Sequence, residues 1–303
     1  MCETCGCSDG ARTTITNLTA GGAARAGGHD HAPVHDHVHD PARHHRHEHG
    51  HDHPHDHVHL PDGTVVELQE SVLAKNDQLA ARNRAWFDGR EILCLNLVSS
   101  PGAGKTTLLE RTIREAGARH RFHVIEGDQA TANDGERIRA AGAPVVQINT
   151  GTGCHLEADM IARALGELAP PFRSVVLIEN VGNLVCPALF DLGERSKVAV
   201  VSVTEGEDKA LKYPHMFQAA DLVLVNKIDL LPHLRFDLDA CLANIRMVTP
   251  HADVLQVSAT TGAGLGAWYD WIAARCAVHQ ALCDLPDRDG PGARRGGGEK
   301  PTA

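Results

Sequence analysis

The stretch Ser99-Ser100-Pro101-Gly102-Ala103-Gly104-Lys105-Thr106-Thr107 constrains this chain more than any other. It follows an apolar run, Ile92–Val98, and precedes a helical pattern, the context that a phosphate-cradling loop requires. Gly102 and Gly104, flanking Ala103, let the backbone approach a phosphate, and free N–H groups at the helix start point at the anion. Lys105 is placed to neutralise β- and γ-phosphates, and the hydroxyl of Thr106, beside Thr107, is placed to reach Mg²⁺. Ser99 stands where the motif usually has its first glycine; the departure leaves the mechanism intact.

Six more apolar runs follow: Phe122–Ile125, Val145–Ile148, Val175–Ile178, Val198–Val203, Leu222–Val225 and Val254–Val257. They are largely β-branched and nearly continuous, as strands buried on both faces must be. Helical segments separate most of them. That alternation predicts an α/β fold, a mostly parallel sheet flanked by helices, in the manner of phosphate-loop nucleoside triphosphatases. Ahead of it, Val65, Leu68, Val72, Leu79 and Trp86 recur at helical spacing and predict an amphipathic lead-in helix ended by Gly89.

Composition divides the rest. Residues 1–10 are a cysteine cluster, and residues 11–28 are small and polar and read as a flexible linker. Residues 29–59 hold two thirds of the 21 histidines and almost no apolar side chains, so a packed core is out of reach there and disorder without metal is expected. Residues 60–284 form the expected GTPase domain, and 285–303, rich in Gly, Pro, Arg and Asp, a disordered tail. A net charge of -10 and no basic stripe argue against nucleic-acid binding. No apolar run is long enough to span a bilayer, and the polar, cysteine-rich start is unlike a secretory signal. The expectation is a cytoplasmic protein in which nine cysteines, an odd number, serve metal ligation rather than disulfides.

Asn226-Lys227-Ile228-Asp229 ends the run Leu222–Val225. A carboxylate at Asp229 can accept from guanine N1–H and its exocyclic amine, donors that adenine lacks in that arrangement; the unpaired acceptor would cost about 1–3 kcal/mol or more. Ser258 and Ala259, after the last run, suit a turn that backs the base. GTP and GDP are therefore the expected ligands. For Mg²⁺ and the γ-phosphate there are two acids: Asp128, after the run Phe122–Ile125, and Glu179, opening Glu179-Asn180-Val181-Gly182-Asn183 where GTPases usually have Asp-x-x-Gly. No glutamine follows Gly182 and no arginine finger stands out, so slow intrinsic hydrolysis is expected.

Cys154 and His155 follow a glycine-rich turn, and Cys186 lies four residues beyond Gly182. Thiolate and imidazole suit Zn²⁺ and Ni²⁺. At the terminus, Cys2, Cys5 and Cys7 can wrap one ion, with a backbone amine or amide as a fourth ligand acceptable to Ni²⁺. The histidine tract can hold several ions weakly. Cys94, Cys241, Cys276 and Cys283 carry no expected role.

Together these residues resemble the hydrogenase nickel-incorporation GTPase family (HypB). The resemblance rests on Ser100–Thr107, Gly127–Thr131, Gly151–His155, Glu179–Pro187 and Asn226, Lys227 and Asp229. It implies that Cys154, His155 and Cys186 form a nickel or zinc site in the GTPase domain and that Cys2, Cys5 and Cys7 form a separate nickel site. It also implies a nucleotide-dependent homodimer that works with a HypA-type zinc and nickel accessory protein to supply the [NiFe] hydrogenase large subunit. Two rival readings are a urease-type nickel GTPase and a metal-storage protein in which the GTPase is secondary.

Overall fold

The computed structural model describes residues 13–19, 62–129, 133–151 and 153–283, with the backbone alone for 62–70. The terminal cysteine cluster, the histidine tract and the tail expected at 285–303 lie outside the described residues. Strands β1 (Thr14–Asn17), β2 (Leu93–Ser99), β3 (Phe122–Asp128), β4 (Val145–Asn149), β5 (Val175–Glu179), β6 (Ser196–Ser202), β7 (Leu222–Asn226) and β8 (Asp253–Gln256) make one sheet in the order β1-β4-β3-β5-β2-β6-β7-β8. All pairings are parallel except that of β1 with β4. The seven expected runs thus become seven parallel strands, as a sheet covered on both faces demands.

β1 is the element the sequence reading missed. Thr14–Asn17 lies within the stretch expected to be a linker, yet it pairs antiparallel along the edge of β4. It is a short polar segment, and Thr19 adds bonds to both the N–H and the C=O of Val145. Edge pairing there is a matter of backbone hydrogen bonds, which composition does not announce.

On one face, helices α2 (Lys105–Ala116), α3 (Asn133–Ala141) and α9 (Leu265–Cys283) cover Leu93, Leu95, Leu97, Val124 and Leu177. On the other, α1 (Asp62–Asp88) and α4 (Ala158–Leu168) cover Cys94, Ile125, Val146 and Ile178. Also on the fold's periphery, α6 (Lys209–Lys212), α7 (Pro214–Gln218) and α8 (Leu238–Val248) pack on Val201, Val223 and Val225.

The lead-in helix forms but turns a different face inward. Val72 is 51% exposed, and the buried positions are Asn76, Ala80, Asn83 and Phe87. Two of those four are polar, so a search for apolar spacing picks the wrong stripe; side chains at Val65 and Leu68 are outside the described residues. The core itself follows apolar burial. Leu108 of α2 is fully buried among the strands, so Leu108→Ala should lower unfolding free energy by about 2–5 kcal/mol in a urea titration.

Candidate functional site

The carboxyl ends of β2, β3, β5 and β7 converge on one cavity of about 460 Å³. Its lining includes Gly102, Gly104, Lys105, Thr106, Thr107, Asp128, Glu179, Gly182 and Lys227, all expected from the sequence. Gly102 and Gly104 adopt φ of 73° and 99°, left-handed values that a side chain resists. Space matters as much at the second: a Cβ at Gly104 would lie 2.6 Å from Asn226 Nδ2. Asn226 uses that closeness, donating to Ala103 O at 2.9 Å and accepting from Ala259 N at 3.1 Å. Lys227 Nζ donates to Gly102 O at 2.7 Å, and Ser258 Oγ donates to Asp229 Oδ1 at 2.5 Å. Asn226, Lys227, Asp229 and the Ser258–Ala259 turn are thereby tied to the phosphate loop.

Inside the loop, buried Lys105 donates to Ser99 Oγ at 2.7 Å. Burial lowers its pKa while Glu179 works in the opposite direction. Thr106 Oγ1 donates to Glu179 Oε1 at 2.7 Å. Burial also pushes the Glu179 carboxyl up to about 6, partly offset by Lys105 and Thr106. Asp128 sits at the rim, its Oδ1 accepting from Gln129 N at 2.7 Å.

Cavity residues Glu126 and Arg137 escaped the sequence reading. Glu126 is 2% exposed and stands opposite Glu179 in the β3–β5 register. Desolvation, reinforced by Glu179, pushes its carboxyl up to about 9. One oxygen on each acid, Oε2, is buried without a hydrogen-bond partner. The signal was a second acid within the strand Phe122–Asp128, two residues before the one that drew attention. Arg137 of α3 is the other; it donates to Thr107 Oγ1 at 3.0 Å and to Glu110 at 2.7 Å.

A second cluster adjoins this cavity. Cys154, His155 and Cys186 offer ligand atoms within 4.8 Å of one another, with the two sulfurs 3.2 Å apart and Cys154 Sγ 3.6 Å from His155 Nδ1. Cys154 and His155 lie in the loop before α4 rather than opening that helix, and Cys186 begins the short α5 (Cys186–Leu189). Burial lowers the His155 pKa, so its imidazole is neutral near neutral pH and its 3.7 Å approach to Glu157 is not an ion pair there. A neutral imidazole with a buried, unpartnered Nε2 suits metal ligation. His155 packs on Phe190, ring centroids 4.0 Å apart, which brings the Cys154 and Cys186 segments together. The loop Asn180–Val185 links the two sites: a Cβ on Gly182 would lie 3.0 Å from Pro101 Cα in the phosphate loop. Cys94 and Cys241 are buried, and Cys276 and Cys283 are half-buried far from this cluster in sequence. No helix among the described residues is long and apolar enough to cross a membrane.

The raised Glu126 carboxyl has a consequence for stability. Between pH 4.5 and about 9 the folded chain holds a proton there that the unfolded chain has lost, so stability falls as pH rises through that window. Glu126→Gln removes this slope: in thermal melts without nucleotide, the variant should gain over the parent at pH 8 and lose that gain near pH 4.

Residues 93–256 match the CobW/HypB/UreG nucleotide-binding domain family. The hydrogenase maturation factor HypB of Azotobacter vinelandii is 57% identical over 213 residues, covering 70% of each chain. The crystal structure of hydrogenase maturation factor HypB from Archaeoglobus fulgidus superposes with a TM-score of 0.64 at 37% identity, covering 67% of this chain and all of that one. HypB from Helicobacter pylori, solved in complex with nickel, gives 0.63 at 36% identity and covers 67% of this chain and 96% of that one.

Proposed function

Since the chain belongs to the hydrogenase maturation factor HypB family, we propose that it is a GTP-hydrolysing nickel metallochaperone that delivers Ni²⁺ during [NiFe] hydrogenase maturation. One observation carries the reading: a Cys154–His155–Cys186 cluster sits one short loop beyond Gly182, which rests on the phosphate loop.

GTP binds with its phosphates over Gly102–Thr107 and its base against Asn226, Lys227, Asp229, Ser258 and Ala259. Thr106 and Glu179, with Asp128 at the rim and Glu126 behind, would hold Mg²⁺, which supplies charge neutralisation between the phosphates. The unpartnered Oε2 atoms of Glu126 and Glu179 beside Thr106 fit such a cation. A γ-phosphate draws on the Gly182 N–H, and its loss lets the loop relax. Cys186 follows four residues later, so the two positions of that loop present different ligand geometry to Ni²⁺. Coupling of this kind is reciprocal: metal binding shifts nucleotide preference by the same free energy.

In this reading Zn²⁺ competes for the same soft donors. The histidine tract at 29–59 stores ions, and Cys2, Cys5 and Cys7 form a separate nickel site. A nucleotide-dependent homodimer hands the cargo on, with a HypA-type accessory protein, to the hydrogenase large subunit. Relatives named as maturation factors for hydrogenase support the client; one is named for both hydrogenase and urease maturation, which keeps a urease client in view.

Asp229→Asn replaces the acceptor for the guanine donors, so the preference for GTP over ATP should fall about 10- to 100-fold in competition binding; an unchanged preference overturns that assignment. Coupling is tested by Ni²⁺ titration of the chain carrying Cys2→Ala, Cys5→Ala and Cys7→Ala, followed by thiolate-to-Ni²⁺ charge-transfer absorption, to which the histidine tract does not contribute, with GDP and with a non-hydrolysable GTP analogue. A nucleotide-dependent affinity that Cys186→Ala abolishes is expected. Equal affinities in both states mean that the nucleotide does not gate this site.

A further inference from the structure

The two segments that bear Cys154, His155 and Cys186 come from different parts of the chain, and the half-bridging element between them is a helix that carries no ligand. Asn76 and Asn83 of α1 are 5% and 4% exposed, an unusual burial for amides on a helix face. Asn76 Oδ1 accepts from Ala158 N at 2.9 Å, and its Nδ2 donates to Asp191 O at 2.7 Å. Asn83 Nδ2 donates to Ala158 O at 2.8 Å and to Leu192 O at 3.0 Å. Ala158 is three residues beyond His155; Asp191 and Leu192 are the first residues after Phe190, against which His155 packs.

Each amide therefore bonds to both segments at once. Ala158 is also the first residue of α4, whose N-cap, Glu157, makes no side-chain cap. Asn76 supplies a partner for one of that helix's open N–H groups from another helix. A third contact fixes the other side. Arg84, one residue beyond Asn83, pairs with both oxygens of Asp191 at 2.7 and 2.8 Å, and Asp191 Oδ1 accepts from Gly193 N. Gly193, at φ 91°, leaves room for this: a Cβ there would lie 2.6 Å from Ala80 O and from Asn83 Cβ. Apolar packing alone would leave the segments free to slide; four directional bonds to main-chain atoms set their relative position.

We propose that Asn76 and Asn83 are positioning residues of the Cys154–His155–Cys186 metal site, holding its two halves in register from behind. The inference rests on the reading of that cluster as a nickel site. Partners bonded directly to metal ligands are typically worth about 10- to 100-fold in metal affinity; Asn76 and Asn83 act one step further out, through Ala158, Asp191 and Leu192, so the lower end of that range is expected.

The test uses the full chain with Cys2, Cys5 and Cys7 changed to Ala, so that thiolate-to-Ni²⁺ charge-transfer absorption reports the remaining thiols. Cys186→Ala serves as the reference for the site itself. Asn83→Ala removes bonds to both segments. Asn76→Asp keeps the acceptor for Ala158 N, and with it the end of α4, but loses the donor to Asp191 O. Ni²⁺ titrations should show affinity about tenfold lower or more in both variants, with an altered charge-transfer band and GTP affinity unchanged. Reduced melting temperature with parental Ni²⁺ affinity and an unchanged band overturns the positioning role and leaves the two amides as fold residues. If Cys186→Ala retains the parental band and affinity, the nickel-site reading itself fails, whatever the asparagine variants do.

Discussion

The phosphate loop is touched on two sides at distances that leave no room for a side chain, and the arrangement of both candidate sites follows from that. A Cβ at Gly104 would meet Asn226 Nδ2, and one at Gly182 would meet Pro101 Cα. The first contact presses the end of β7 onto the loop; the second presses the Asn180–Val185 loop onto it. The Gly104 contact ends on the Asn226 amide, itself held by Ala103 and Ala259, and the Gly182 contact runs backbone to backbone; close-packed interiors move by discrete steps rather than by gradual deformation. Cys186 lies only four residues of chain beyond Gly182.

The sheet sets up those contacts. β2 lies between β5 and β6, and β3 and β5 run side by side in register, so the ends of β2, β3 and β5 deliver the phosphate loop, Asp128 and Glu179 to the same edge. A parallel sheet does this at no extra cost, since every strand releases its chain at the same end. The buried acids follow as well. Glu126 and Glu179 point from neighbouring strands into one cavity, where burial raises both carboxyls and leaves an oxygen on each unpaired. Among the described residues that line the cavity, Lys105 is the single buried cation set against them.

Legibility in the sequence tracked how directly each feature expresses itself in side-chain polarity or glycine spacing. The seven parallel strands were readable because strands covered on both faces need continuous apolar runs. The phosphate loop and Asn226–Asp229 were readable because their chemistry fixes residue types at fixed spacing. Glu126 was not, since one acid in a strand is usually an end effect, and only the β3–β5 register pairs it with Glu179. β1 was not, because edge pairing needs only main-chain groups. The inward face of α1 was misjudged for a sharper reason. Asn76 and Asn83 are buried through bonds to carbonyls and an N–H that belong to segments far along the chain, and no local pattern encodes partners at that distance.

As a metal site, the proposed role of Cys154, His155 and Cys186, this cluster would need such support from behind. Cys154 and Cys186 bring their sulfurs to 3.2 Å, and two thiolates that close repel unless a cation sits with them. Both must lose their protons to bind a metal, so the folded scaffold has to hold them together through a step that pushes them apart. Burial keeps His155 neutral and ready, which removes one proton from that competition. The Cys186 side is anchored from below by Lys197, whose Nζ donates to Pro187 O at 3.1 Å and to Ala188 and Phe190 O at 3.4 Å, with Glu194 3.5 Å away. An ammonium buried among carbonyls and a carboxylate resists displacement, because moving it would strand a charge. At its other end the loop Asn180–Val185 is held by Asn180, buried and donating from Nδ2 to Asn96 Oδ1 at 3.2 Å, and by the close approach of Gly182 to Pro101, so the chain that joins the two clusters is fixed from both sides.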